Sequence, residues 1–275
     1  MSADTNTFQN LPEGSLKVLQ LTDFHLYADT SRCLLGLNTQ ETLNLVSAMA
    51  LEQMGTPDMI LATGDLVHDA SETGYRRLRE QFAGFGAPTF CLPGNHDIPE
   101  IMARLLNQDG ISTIPSTQQG GWSLIFLDST IPKKPGGHLD ESQLELLEDE
   151  LQKHPDKHTL ICMHHHPIPV DSAWMDSMAL NNPEPLFKLL AKHQQVKGIL
   201  CGHIHQEFER NYHNLLLLGS PSTCIQFIAG QDKFGLADTP PGYRWLALLP
   251  DGEIRSGVEL LPEMPEGVEF NSSGY

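Results

Sequence analysis

Residues 88–97 read PTFCLPGNHD, a short apolar run that ends in a glycine and three polar residues, Asn95, His96 and Asp97. Short apolar runs bounded by turn residues are typical of buried strands. The glycine permits a tight turn and a close approach of the backbone. The stretch therefore predicts a strand whose carboxyl end presents polar side chains, and ligands of open α/β sheets gather at that end of the strands.

Four further apolar runs end in the same way. They read LKVLQLTDFH (residues 16–25), DMILATGD (58–65), TLICMHHHP (159–167) and KGILCGHIH (197–205). Any one of these polar ends alone would indicate an ordinary turn. Five of them in succession, with carboxylate, carboxamide or imidazole groups at each strand end, are hard to obtain by coincidence. We therefore expect the five loops to meet and to form one site.

Amphipathic stretches separate these runs and are typical of helices. They cover residues 39–53, 72–85, 141–152 and 184–193. Asp140 and Gln143 predict a capping box at the start of the third helix. The alternation of buried strands with helices predicts an α/β fold in which helices cover a sheet. The chain after about residue 215 is strand and loop without helices, which suits the edge of a sheet.

No linker or repeat divides the chain. We therefore predict a flexible N-terminal tail over residues 1–14, a single catalytic domain over residues 15–262 and a C-terminal tail over residues 263–275. A chain of this size buries roughly three quarters of its unfolded surface, so it needs no disulfide or structural metal to fold.

The formal net charge of the chain is −18. Repulsion from phosphates opposes binding to nucleic acid and to an anionic membrane surface. No apolar run approaches the roughly 20 residues that cross a bilayer. The first 14 residues lack the basic start and the apolar stretch of a secretory signal. We therefore expect a cytoplasmic protein without nucleic-acid or membrane partners, in which metal cations supply the positive charge that an anionic substrate needs.

The side chains at the five strand ends also predict the kind of metal. They offer carboxylate oxygen, amide oxygen and imidazole nitrogen, and the five cysteines contain no C-x-x-C pair. These donors suit iron, manganese or zinc in an open site, whereas a closed structural zinc favours cysteine. About seven ligands are too many for one such ion. Two divalent ions that share a bridging carboxylate fit the number, and such pairs clamp a phosphoryl group and activate water.

The motifs D-x-H, G-D, G-N-H-D, H and G-H-x-H, in this order, resemble the pattern of the calcineurin-like metallophosphoesterase superfamily. The resemblance implies a four-layer α/β/β/α sandwich with a dimetal site at the sheet edges. It also implies a division of the ligands between the two metals. With Asp65 as the bridge, the implied ligands are Asp23, His25 and His205 for one metal and Asn95, His164 and His203 for the other.

Six stretches, LLGLNT, ATGDL, LPGNHD, HHHPIP, CGHIHQE and PSTCIQF, are similar to the bacterial class III cyclic nucleotide phosphodiesterases. The similarity is strongest to those that hydrolyse 3′,5′-cyclic AMP to AMP, and it covers nearly the whole chain. It implies cyclic AMP as a small-molecule substrate and two divalent metal ions, Fe²⁺ and/or Mn²⁺, as cofactors. The base preference and the oligomeric state do not follow from the motifs.

The run of three histidines before Pro167 leaves a choice of ligand between His164 and His165. His164 directly follows the apolar run, and it aligns with the single ligating histidine of the superfamily pattern. We therefore favour His164. His165 and His166 are expected to support the ligands, to line the pocket or to be simple turn residues.

The predicted mechanism is attack on phosphorus by a hydroxide that bridges the two metals, opposite the leaving 3′ oxygen. Metals and Asn95 neutralise the developing charge. His96 is assigned to contact the phosphate or to protonate the leaving oxygen, and Asp97 to orient His96; the alternative is an ordinary His–Asp turn contact. The residues expected to contact the substrate are His25, Asp65, Asn95, His96 and His205.

Two further features have open interpretations. Trp122, Trp174 and Trp245 are candidates for stacking on a base, although core or loop packing is the more common role of tryptophan. The connection over residues 168–185 is long. It is either a substrate lid or a packed surface excursion.

Two rival functions are compatible with parts of the pattern. A dimetal site recognises the phosphate and not the group attached to it, so a broader phosphodiesterase or phosphomonoesterase is the first alternative. The second is an inactive scaffold that binds a protein partner. Loss of ligands would mark the second, and every ligand position of the motifs is filled.

Overall fold

A computed structural model of the protein describes residues 11–274. The strands are β1 (Leu16–Leu21), β2 (Cys33–Leu34), β3 (Leu37–Asn38), β4 (Met59–Thr63), β5 (Thr89–Leu92), β6 (Ile111–Ser112), β7 (Ser116–Gln119), β8 (Trp122–Leu127), β9 (His158–Met163), β10 (Val196–Cys201), β11 (Phe208–Tyr212), β12 (Leu215–Gly219), β13 (Gly242–Leu248) and β14 (Ile254–Leu260). The helices are α1 (Thr39–Met54), α2 (Glu72–Ala83), α3 (Pro99–Leu106), α4 (Glu141–Lys153), α5 (Ala173–Asp176) and α6 (Pro183–Leu190).

The strands form two six-stranded sheets and one two-stranded hairpin, β2–β3. The first sheet has the order β14-β13-β1-β4-β5-β6, and the second has the order β11-β12-β10-β9-β8-β7. In the first sheet, β1, β4, β5 and β6 run parallel. In the second sheet, β8, β9, β10 and β12 run parallel. The antiparallel pairs lie toward the edges of both sheets, where β13 pairs with β1 and β14, β11 pairs with β12, and β7 pairs with β8.

The central strands of each sheet are buried on both faces, which explains their continuous apolar runs. Alternate residues of β1 show the pattern, because Val18 packs in the core between the sheets and Leu19 packs in the core under the first helices. In β9, Leu160 faces the core between the sheets and Ile161 faces helices α4 and α6. The fold is therefore the predicted four-layer α/β/β/α sandwich.

The four predicted helices are present, with ends that differ by one to three residues. Asp140 is the N-cap of α4, because its side chain accepts a hydrogen bond from the N–H of Gln143 at 3.0 Å. The second half of the predicted capping box is different. The Gln143 side-chain oxygen accepts from the N–H of Asp128 at 2.9 Å. Gln143 thus fastens the helix to the loop that follows β8.

The predicted domain limits at 15 and 262 stay a prediction. Residues 1–10 of the predicted N-terminal tail, and residue 275, lie outside the described residues. Residues 263–274 contain no helix or strand, but the N–H of Glu269 donates to the carbonyl of Leu35 at 3.0 Å, and Val268 packs against a buried cluster. None of the described helices has the length and the apolar character needed to span a bilayer.

A buried arginine links the two sheets. Arg244, in β13, has no exposed surface. Its guanidinium donates to the carbonyl of Gly219 in β12 at 2.9 Å, and to the hydroxyl of Ser256 in β14 at 2.8 Å. A longer bond of 3.4 Å reaches the carbonyl of Phe208. Buried carbonyls without a donor are costly, so these bonds from Arg244 stabilise the junction of the two sheets.

We expect Arg244→Leu to lower the free energy of unfolding by about 2–4 kcal/mol, because the variant leaves the Gly219 and Phe208 carbonyls without this donor. Urea denaturation of the purified variant measures the change. Arg255→Leu is the matched control, since Arg255 makes an exposed pair with Glu253 and should cost at most about 1 kcal/mol. Equal unfolding free energies for the two variants would contradict the role of Arg244.

Candidate functional site

Five loops meet at one edge of the molecule, where the carboxyl ends of β1, β4, β5, β9 and β10 lie together. Six of the seven predicted ligand side chains are buried there: Asp23, His25, Asp65, His164, His203 and His205. Asn95, the seventh, is half-buried, and its side-chain oxygen is inaccessible to water. The parallel strands of both sheets therefore bring the predicted ligands to one place.

Distances between side chains define the centre of this cluster. The Nε2 atom of His205 lies 3.2 Å from Oδ1 of Asp23 and 3.3 Å from Nε2 of His25. The Oδ2 atom of Asp65 lies 3.8 Å from Nε2 of His25 and 3.4 Å from Nε2 of His164. Asp65 thus lies between His25, a predicted ligand of one metal, and His164, a predicted ligand of the other, as a bridging carboxylate requires.

Several groups of three side chains in the described range have the spacing of metal ligands, with their donor atoms within 4.8 Å of one another. The groups are Asp23, His25 and His205; Asp23, Asp65 and His164; His164, His165 and His203; and His25, His68 and His96. Together, the first three groups contain predicted ligands of both metals. The fourth contains a histidine that the motifs did not predict.

The backbone of the site is held in an unusual conformation. Five of the predicted ligands have left-handed φ angles: 55° at Asp23, 48° at His25, 51° at Asp65, 68° at His203 and 46° at His205. Such angles cost on the order of 1–3 kcal/mol each for residues other than glycine, and they cluster at functional sites. Here they turn the chain sharply just after the strands, so that paired side chains can reach the same point.

Two glycines make room for the ligands. A Cβ atom on Gly64, whose φ is 99°, would collide with the imidazole of His164. A Cβ atom on Gly94 would collide with the carboxylate of Asp65. The glycines of the G-D and G-N-H-D motifs are therefore required by the close packing of the loops, in addition to the turn.

Hydrogen bonds orient the imidazoles. Nδ1 of His164 bonds to the carbonyl of Thr63 at 2.9 Å, and Nδ1 of His205 bonds to the carbonyl of Ile225 at 2.8 Å. A carbonyl accepts, so Nδ1 carries a proton in both rings. In the neutral form of each ring, Nε2 then has its lone pair directed away from that bond, which is the usual arrangement of a metal-ligating histidine.

Four buried atoms of the predicted ligands make no hydrogen bond in the described residues: Asp65 Oδ2, Asn95 Oδ1, His164 Nε2 and His203 Nε2. Asp65 Oδ2 and His164 Nε2 are in ionic contact with each other at 3.4 Å. An unpaired buried polar atom is costly, and each one calls for an explanation. All four are among the atoms expected to bind metal, and all are oxygen or imidazole nitrogen. The residues present therefore fit divalent metal ions.

The charges of the site show the same need for a cation. Burial disfavours the charged form of Asp65, but His164 and the neighbouring imidazoles hold the pKa of this carboxyl well below its usual value. Burial also opposes protonation of His164, yet the carboxylate of Asp65 raises its pKa to about 9. Burial lowers the pKa values of His25 and His203 well below the usual value. Without metal, a proton on His164 compensates the bridging carboxylate.

The three consecutive histidines have different surroundings. Nδ1 of His165 bonds to the hydroxyl of Ser129 at 2.8 Å, and its Nε2 lies 3.2 Å from the carbonyl of Pro135. Nε2 of His166 lies 3.3 Å from the carboxylate of Asp176. Both nitrogens of His165 thus have hydrogen-bond partners outside the predicted ligand set, whereas Nε2 of His164 faces the carboxylate of Asp65, another predicted ligand, at 3.4 Å. This arrangement favours His164 as the ligand and places His165 and His166 behind it.

His96 and Asp97 are adjacent in sequence but differ in their contacts. The His96 ring is half-buried and packs edge-on against His25 at 5.0 Å between centroids. The Asp97 carboxylate is buried and accepts from Leu66 N at 3.0 Å and from the Tyr75 hydroxyl at 2.7 Å. It also accepts from the N–H groups of Val67 and Gly94. Asp97 thus joins two loops of the site, and its predicted role in orienting His96 stays a prediction.

His68 is the residue that sequence reasoning missed. It lies three residues after Asp65, its Nδ1 is 3.1 Å from Nδ1 of His25, and its ring stacks on His96 at 4.3 Å. Burial, followed by the imidazole of His96, lowers the pKa of His68 to about 4, so its ring is neutral near pH 7 and one of the two Nδ1 atoms donates to the other. In the sequence, only the position of His68 in the loop after the G-D motif indicated that it lies near the site.

Comparisons with known proteins identify the family of this chain. The model of the family described as calcineurin-like phosphoesterase matches residues 16–207. The chain is 39% identical over 276 residues to the 3′,5′-cyclic adenosine monophosphate phosphodiesterase CpdA of Pseudomonas aeruginosa, with all of both chains covered. It is 40% identical to CpdA of Escherichia coli K12 over 96% of each chain. A 3′,5′-cyclic-nucleotide phosphodiesterase of Nostoc is 38% identical, with 90% of this chain and 93% of the Nostoc protein covered.

Solved structures share the fold at low sequence identity. A dimetal phosphatase from Danio rerio superposes with a TM-score of 0.63 at 13% identity, covering 89% of this chain and 98% of that one. A purple acid phosphatase from yellow lupin superposes with a TM-score of 0.56 at 14% identity, covering 90% of this chain and 51% of that one. These similarities establish the metallophosphoesterase fold alone.

We expect His68→Ala to weaken the binding of divalent metal by about 10- to 100-fold, because a partner of a ligating histidine fixes its ring and its tautomer. Competition of Mn²⁺ binding against a chelator measures the affinity. His193→Ala, a half-buried histidine after α6 and outside the site, is the control. An unchanged affinity in a folded His68→Ala protein would show that the contact with His25 does not support the metal.

Proposed function

This chain belongs to the calcineurin-like phosphoesterase family, and from that premise we propose that it is a metal-dependent phosphodiesterase that hydrolyses 3′,5′-cyclic AMP to AMP. The observation that carries the proposal is the set of four buried ligand atoms without hydrogen-bond partners at the meeting point of the five loops. The substrate is proposed from the curated relatives, which are about 40% identical over nearly the whole chain.

The proposed division of the ligands is the one that the resemblance implies, and the group of Asp23, His25 and His205 in the structure supports it. One ion would be held by Asp23, His25 and His205, and the other by Asn95, His164 and His203, with Asp65 between them. The contacts of Asp65 with His25 and His164 support the bridging position. The donor set contains no thiolate, which suits iron and manganese. We propose Fe²⁺ and/or Mn²⁺, and we propose that the enzyme works in the cytoplasm.

Two divalent ions at this place would lower the pKa of a shared water toward neutrality and neutralise charge on the phosphate oxygens. The chain supplies the rest of the chemistry. Asn95, His96 and His203 line a pocket of about 340 Å³ beside the ligand cluster. His96 is half-buried there, so it can reach a bound phosphate and pass a proton to the leaving 3′ oxygen. Asn95 adds its amide group to the stabilisation of the phosphate.

The alternative within the same chemistry is a broader phosphodiesterase or phosphomonoesterase. The ligand cluster recognises phosphate, so it does not discriminate between these substrates. Steady-state rates with cyclic AMP, cyclic GMP, 2′,3′-cyclic AMP and simple aryl phosphates separate the two proposals. A preference of cyclic AMP over the aryl phosphates supports the narrower one.

We expect metal-stripped protein to be inactive and to recover cyclic AMP hydrolysis when Mn²⁺ or Fe²⁺ is restored. Asn95→Ala should lose most of this activity, because it removes a ligand and a contact to phosphate. Asn211→Ala, on the exposed edge strand β11, is the matched control. Activity that is indifferent to metal removal, or full activity of Asn95→Ala, would overturn the dimetal assignment.

We expect His96→Ala to retain its metal ions but to lose at least about 100-fold in turnover, the lower range for loss of a general acid. Metal analysis of the purified variant and steady-state kinetics give the two readings. Normal turnover with normal metal content would remove His96 from the mechanism.

A further inference from the structure

The pocket beside the ligand cluster has two different sides. Asn95, His96 and His203 form the side that faces the proposed phosphate position. The apolar side consists of Trp174, Met178 and Phe234, which pack against one buried cluster, and Gly274 near the C-terminus also lines the pocket. None of the nine described residues around the pocket is Lys or Arg. The second side therefore suits a flat, uncharged group that extends from the phosphate, and not a second anion.

Aromatic contacts tie this apolar side to the ligand cluster. Trp174, in α5, packs edge-on against Phe227 at 5.0 Å and against Phe234 at 5.3 Å between ring centroids. Phe227 in turn stacks on the ring of His205 at 4.3 Å, with an angle of 21° between the planes. Through Phe227, these three aromatic side chains are thus connected to His205, one of the predicted ligands.

Trp174 also carries an unpaired donor. Its Nε1 atom is buried and has no hydrogen-bond partner among the described residues. A buried indole N–H usually finds an acceptor, and an unpaired one needs an explanation. An acceptor on a bound ligand would provide it, because Trp174 lines the pocket.

The segment that carries Trp174 is held in place. Asp176 accepts from the N–H of Val170 at 2.8 Å and from the N–H of Ser172 at 3.1 Å, and His166 lies 3.3 Å away. The N–H of Leu180 donates to the carbonyl of His166 at 3.0 Å. These bonds connect the segment to the histidine run behind the site. They favour a fixed wall over a mobile lid, and preformed walls lower the entropic cost of binding.

We propose that this apolar side of the pocket is a nucleobase site, in which the purine of the substrate stacks on the Trp174 and Phe234 side and a purine ring nitrogen accepts the Nε1–H of Trp174. The inference rests on the proposed function, since it assumes a cyclic nucleotide at the ligand cluster. Aromatic side chains are general platforms for bases, and adenine offers ring nitrogens as acceptors. Trp174, a residue that the motifs left undecided, becomes a determinant of specificity.

Trp174→Ala should raise KM for cyclic AMP by about 5- to 150-fold, which corresponds to the loss of one stacked base. The same variant should cleave the base-free analogue, ribose 3′,5′-cyclic phosphate, at the wild-type rate, with unchanged metal content. Trp174→Phe keeps an aromatic ring and should show a smaller increase in KM. The matched control is Trp245→Phe, a tryptophan of β13 that packs on Gly257 outside the site.

Deaza analogues of cyclic AMP test the hydrogen bond. The wild-type enzyme should discriminate against one of the 1-, 3- and 7-deaza compounds, and Trp174→Phe should treat that compound and cyclic AMP alike. Equal treatment of all three compounds by the wild type overturns the hydrogen bond.

If Trp174→Ala loses the same factor in activity on cyclic AMP and on the base-free analogue, or loses no activity, the nucleobase site is wrong while the proposed function stands. If the wild type cleaves aryl phosphates but not cyclic AMP, the proposed function itself fails and takes this inference with it.

Discussion

The carboxylate of Asp65 is the point on which the rest of the site depends. One oxygen accepts the N–H of His96 at 2.9 Å, and the other lies between the imidazoles of His25 and His164 without a hydrogen bond. The backbone carbonyl of Asp65 accepts the N–H of His25 at 2.9 Å. A buried carboxylate is tolerated only when positive charge compensates it, so this one residue joins four loops and creates the demand for cations.

A site of this kind lowers the stability of the folded protein. Left-handed backbone at five predicted ligand positions, buried polar atoms without hydrogen bonds and neighbouring imidazoles all oppose folding. The two sheets provide the stability that offsets this, because the central strands of each are covered on both faces and Arg244 links them. The strained loops follow directly on buried strands, so little chain lies between the rigid scaffold and the ligands.

The strands and the candidate ligands that follow them could be predicted from the sequence, because both belong to one recurring pattern. Buried strands need apolar residues on both faces, and ligands at strand ends interrupt those runs visibly, as at Asp65 and Asn95. Residues whose role depends on tertiary contacts were not predictable in this way. His68 lies in a loop without a motif, and only its distance from His25 reveals it. Gln143 was expected to close a capping box, but a partner from another loop, Asp128, takes its side chain.

The position of Gly274 has a practical consequence for work with this protein. It lines the pocket together with Trp174 and Phe234. An affinity tag fused after Tyr275 begins two residues after Gly274, so the point of fusion is close along the chain to a residue that lines the pocket. A histidine tag at this position would add imidazoles near the proposed metal centre. Purification handles belong at the other end of the chain, and kinetic comparisons between variants should use protein with an unmodified C-terminus.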